Sequence, residues 1–176
     1  MQIQKNLNKA NKISNNDEGS FILYNYLVFY KAEKVSIEEI YLNIKQKYDP
    51  NRRNALMAQK NKEEIFSFLK LLSLSSKYYA YIYNGNFFES DYNGEYKVEL
   101  GRVLKYLRCQ PTIATLMPLI IAIWAIESDK KKVVDILEII ERVNFRMYIL
   151  PSIVSRADHK KNLFYKWANK IGRAHV

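Results

Sequence analysis

Val35-Ser36-Ile37-Glu38-Glu39-Ile40-Tyr41-Leu42-Asn43-Ile44-Lys45 is the stretch that decides the fold class. Ser36 stands three residues before Glu39, the spacing at which a hydroxyl and a carboxylate can each satisfy a free amide at a helix start. Ile37, Ile40, Tyr41 and Ile44 then recur at helical intervals. Asp49-Pro50-Asn51 ends the segment, because the residue before a proline resists the α region. The preceding run Ser20 to Lys31 (SFILYNYLVFYK) is apolar and aromatic almost all round, and its length fits a strand or a helix. Its helical neighbour turns that reading to helix.

The same period continues downstream. Asn61 reads as the cap of a helix with Glu64 three residues on, and Ile65, Phe68, Leu69, Leu72, Tyr79 and Ile82 form its apolar stripe. Asn84-Gly85-Asn86 stops it, and Phe87 to Gly94 reads as a loop. Val98 to Arg108 predicts another helix, with Val103, Leu104 and Leu107 inward. The run from Pro111 to Ile126 predicts a buried core helix in which Pro118 either lies in the first turn, with Thr115 as cap, or kinks a longer helix. Lys130 to Tyr148 carries Val133, Ile136, Leu137, Ile140 and Val143 on one face, and Asp135, Glu138, Arg142 and Arg146 on the other. The last helix is expected from about Asp158 to Lys170, with Leu163, Phe164, Trp167 and Ala168 as its apolar positions.

These segments predict an all-α fold, an irregular bundle of about seven helices with short links and mostly antiparallel neighbours. Residues 1–19 are polar, with five Asn in the first sixteen, and read as a flexible lead-in. Residues 20–170 form the helical domain, with a subdivision expected near 49–62. The last six residues, Ile171-Gly172-Arg173-Ala174-His175-Val176, match one translated frame of a common sequencing-adapter oligonucleotide. The natural chain is therefore expected to continue past about Lys170.

Composition agrees with a packed helical domain. Apolar residues make up 48% and charged residues 26%, while Gly 5 and Pro 4 are too few for the many turns of an all-β fold. The net charge of +10 fits a polyanionic partner such as nucleic acid, and equally a lysine-rich surface that is simply solvated. Cys109 is the one cysteine, so the chain forms no internal disulfide, in keeping with a cytoplasmic location. Residues 1–20 lack the apolar core of a signal peptide, and the Pro111–Ile126 run is shorter than the roughly 20 residues that span a bilayer, so no membrane association is expected.

Catalytic chemistry has little to build on. His159 sits in a polar helix start and His175 in the adapter-like tail, and no glycine-rich phosphate cradle occurs. No catalytic, cofactor-binding or metal residue is assigned, and no cofactor is expected. Glu138 and Arg142 have the favoured order for a helical ion pair, while Glu138 and Glu141 would act as paired carboxylates only if they converged on a pocket. Arg146, at a helix end, can bind free carbonyls or hold Arg156-Ala157-Asp158 through Asp158. Lys130, Lys131 and Lys132 head a helix, where positive charge opposes the dipole; the run suggests an outside anion or a solvated face. Arg146, Arg156, Asp158 and the three lysines are thus the structural or DNA-contact candidates.

Three segments carry a resemblance. They are the aromatic run followed by VSIEEIYLNIK; Leu104 to Trp124, which leads into Met117-Pro118-Leu119-Ile120-Ile121-Ala122; and Ile139 to Tyr148, then Arg156-Ala157-Asp158, then Leu163 to Ala168. In this order they resemble the helical middle region of GmrSD-type modification-dependent restriction endonucleases, over roughly Ser20 to Lys170. In that family a ParB-like domain with nucleotide-dependent activity lies upstream and an HNH nuclease domain often lies downstream. Neither domain's motifs occur here, so no catalytic residue carries over. The resemblance implies a connector that joins the active modules of an antiphage enzyme, with those flanking domains as its partners and DNA as a further contact. The other reading is a free-standing basic helical protein that binds a protein or nucleic-acid partner.

Overall fold

The structure, a computed structural model, describes residues 2–9, 15–31, 35–47, 55–84, 92, 94–110, 113–146 and 161–174. Among them the regular elements are all helices: α1 (Gln2–Lys9), α2 (Asn15–Phe29), α3 (Ile37–Lys47), α4 (Ala55–Tyr83), α5 (Glu95–Cys109), α6 (Ile113–Ile126), α7 (Lys130–Asn144) and α8 (Lys161–Arg173). They form an irregular all-α bundle.

α1 is one helix more than expected, and it lies in the stretch read as a flexible lead-in. Ile3 and Leu7, four residues apart, pack it on the main core, and polar contacts fix its register. Asn6 is buried and its Nδ2 donates to Ser76 Oγ on α4 at 2.9 Å, while Gln2 Nε2 donates to Asn6 Oδ1 at 2.9 Å. A parallel contact ties α2 to α4. Ser75 Oγ donates to Asn25 Oδ1 at 2.6 Å, and Asn25 Nδ2 donates to the Phe21 carbonyl. Buried side-chain amides are costly unless paired, so these bonds fix which turn of α4 meets which neighbour.

α4 has 29 residues and, at about 1.5 Å per residue, runs on the order of 43 Å. Asn61, expected as its cap, lies inside it. The added turns, ALMAQK, are strong helix formers and carry the helix back to Ala55. α3 starts as its sequence suggests: Glu39 N donates to Ser36 Oγ at 3.1 Å. Hydrogen bonds from its own amide and from Ser36 hold the exposed Glu38 carboxyl below its ordinary value. α3 rests on a small satellite cluster of Tyr26, Val35 and Ile40, and Tyr41 faces outward.

The main core is built around α6, which packs on α2, α4, α7 and α8. Every residue from Thr115 to Trp124 is buried. A helix apolar all round can be satisfied only by neighbours on all sides. Pro118 is the sixth residue of α6, beyond the first turn, and Thr115 lies within the helix and does not cap it. At 14 residues α6 is short, and among the described residues no helix is long and apolar enough to cross a membrane.

α8 closes against α2 and α6. Phe164, Ala168 and Gly172, spaced by four, are its buried line. A Cβ on Gly172 would lie 2.8 Å from the Val28 carbonyl oxygen, so the glycine sets how closely the two helices approach. Asn169 Nδ2 donates to the carbonyls of Leu27 and Val28 at 3.2 and 2.9 Å. These are last-turn carbonyls of α2, which have no partner within their own helix. The small-residue line puts Leu163 and Trp167, expected inward, one position round the helix, where both are exposed.

Candidate functional site

The described residues that the sequence singles out gather on α7. Its inward face buries Val133, Val134, Leu137, Ile140 and Asn144. Its outward face carries Asp135, Arg142 and Arg146, exposed as expected, with aliphatic residues among them. Ile139 is 53% exposed, and Val143, read as inward, is 37% exposed. At 100° per residue Lys132, Asp135, Arg142 and Arg146 fall beside them, and all four are exposed. Phe145 follows at the helix end, also exposed. The result is a pair of exposed aliphatic side chains within a charged, mainly cationic border.

The helix start answers the question raised by the three lysines. Asp129 is the N-cap, and its Oδ1 accepts from Lys131 N at 2.9 Å and from Lys132 N at 3.4 Å. Glu127 Oε1 in turn accepts from Asp129 N at 2.9 Å. A carboxylate from within the chain thus satisfies the amides and offsets the dipole that opposes the lysines. The dipole mismatch therefore gives no argument for an outside anion here. Lys130 Nζ lies 5.3 Å from the centre of the Tyr92 ring, whose hydroxyl accepts from Trp124 Nε1 at 3.0 Å. Lys131 and Lys132 are exposed.

The seam between α5 and α7 holds the acidic residues. Glu138 is paired with Arg102 of α5, and Arg142 Nη2 lies 3.7 Å from its other oxygen. Glu141 Oε1 accepts from Gln110 Nε2 at 3.1 Å, and Gln110 Oε1 accepts from the buried Asn144 Nδ2. Glu138 and Glu141 do share one recess of about 260 Å³, with Arg102, Tyr106 and Arg142 on its walls. Cationic and amide partners already occupy both carboxylates, so the recess works as a clamp between the helices. The sequence gives no sign of the Gln110–Asn144 pair. Asp129, by contrast, stands directly before a helical run and is a preferred cap residue.

Arg146 is exposed at the end of α7. Arg156 and Asp158, its suggested partners, lie outside the described residues, as do His159 and His175. Among the described residues no group of three or more His, Cys, Asp or Glu is placed to hold a metal ion. On α8, burial raises the Tyr165 hydroxyl above its ordinary value, against a smaller opposing effect of Lys161. No family model, curated protein or solved structure matches this chain.

Proposed function

We propose that the chain is the helical connector of a GmrSD-like antiphage endonuclease that acts on modified DNA, and that the reactive groups reside in the flanking modules. The observation that carries this reading is the outward face of α7. Ile139 and Val143 leave two aliphatic side chains in water, bordered by Lys132, Asp135, Arg142 and Arg146. Apolar surface with a charged rim is the usual form of a docking face. The order of the resembling segments supplies the parent enzyme, and the face supplies a place where a neighbouring module can sit.

The complete reading frame tests this. A ParB-like module upstream and an HNH-type module downstream, in one frame with this chain, is the expected result. A stop codon directly after Asn169, together with an initiation signal at Met1, would contradict it.

The net charge of +10 favours a second reading, a basic helical protein that binds nucleic acid by itself. That reading requires duplex binding that falls steeply with salt, as counterion release dictates. No binding at low salt would end it.

A further inference from the structure

A cavity of about 410 Å³ lies between α2, α3 and α4, away from α7. Phe29, Tyr30, Phe68 and Leu71 give it apolar walls, and Lys47, Glu63 and Glu64 add charge. Two carboxylates face one ammonium, so on a chain of net charge +10 this cavity is locally acidic. Its rings are held in place by one another. Tyr30 is stacked on Tyr26 at 5.4 Å and meets Phe68 edge to face at 5.1 Å. Phe29 is buried in the main core.

The cavity already receives a cation. Lys47 Nζ lies 5.3 Å from the centre of the Tyr30 ring and 2.8 Å from Glu64 Oε2. The same ammonium thus sits against an aromatic face and a carboxylate, the two features that recognise organic cations. Lys47 enters from the last turn of α3, and its side chain is 45% exposed. A long, half-exposed side chain can swing out into water. Glu63 is exposed at the rim.

The geometry points to a binding site for a small free organic cation that carries an alkylated ammonium group, with Lys47 as the built-in occupant it displaces. Alkylated ammonium ions are weakly hydrated, so they gain more from ring faces than a primary amine does. The volume is near the low end for small-molecule sites, which fits a ligand of choline's size. Glu63 and Glu64 supply the countercharge, and Tyr30 with Phe68 supplies the ring faces.

Calorimetric titration of the full chain with choline, and with the uncharged alcohol in which carbon replaces the nitrogen, tests the site. Choline is expected to bind saturably and about tenfold more tightly than the alcohol, the size of a partly desolvated cation–π contact. Lys47→Met removes the competitor and strengthens choline binding, while Tyr30→Leu weakens it by about tenfold. Circular dichroism checks that each variant keeps its helices. If Tyr30→Leu unfolds, the rim substitution Glu63→Gln decides, with weaker choline binding and unchanged alcohol binding expected. Equal affinity for choline and the alcohol would overturn the proposal. So would absence of saturable choline binding in both the parent chain and the Lys47→Met variant, or no response to Lys47→Met and Glu63→Gln.

Discussion

α6 and α7 are consecutive helices of 14 and 15 residues, and they differ in what surrounds them. α6 is enclosed along its whole middle, and its one interruption, Pro118, is buried with the rest. α7 buries one face and leaves isoleucine, valine and arginine in water on the other. Composition separates the two cases. A helix without charged residues has to become the hub, whereas one with a buried stripe can sit at the edge and keep a face for something else. The hub accounts for the stability of the bundle, and the edge is where a partner can act.

The largest effect should come from the hub. Ile120→Ala, at a fully buried position of α6, is expected to lower stability by about 2–5 kcal/mol, as read by denaturant unfolding. A loss no greater than that of a surface substitution would abolish the distinction between the two helices. Gly172→Ala comes next. Its new methyl would press on the Val28 carbonyl, where no side-chain motion gives relief, and should cost about 1–3 kcal/mol by the same measurement. Asp129→Ala removes the cap of α7 and should cost about 1 kcal/mol. If the loss is absent, the lysine run needs some other compensating charge.

The smallest effect concerns α3, a second edge helix. The Glu38 carboxyl is held below its ordinary value in the folded chain, so its contribution is present above the unfolded value and lost as pH falls through the folded one. Protection factors in the first turns of α3, corrected for the intrinsic slowing of exchange in acid, should therefore fall on acidification, and Glu38→Gln should remove that response.

Much of this was legible in the sequence, and the limits have physical causes. The Ser36 start of α3, the burial of the Ile113–Ile126 run and the inward valines and leucines of α7 all follow from spacing and apolarity. α1 offers only Ile3 and Leu7 as apolar packing residues, too short a period to stand out in a polar stretch, and asparagine and serine complete its docking. Apolarity alone does not separate Leu163 and Trp167, both exposed, from the buried Phe164 and Ala168. The tight line of Phe164, Ala168 and Gly172 decides the face of α8, and small residues carry little weight in a hydrophobic pattern. On α7 the spacing puts Val143 on the apolar face, whereas it lies at the border and is 37% exposed, and Ile139 belongs to the charged side. Arg102 and Gln110, which clasp α7, are far from it in sequence.

The most direct measurement pairs stability with the proposed connector role, in the reading frame that role requires, for Ile139→Ser and Val143→Ser together. The account predicts a folding stability within about 0.5 kcal/mol of the parent, as for surface positions. If the chain serves as the proposed connector, cleavage of modified DNA falls by about tenfold or more, the scale of a lost interface anchor. Unchanged cleavage at unchanged stability would contradict the account, because the outward face of α7 would then have no partner to hold.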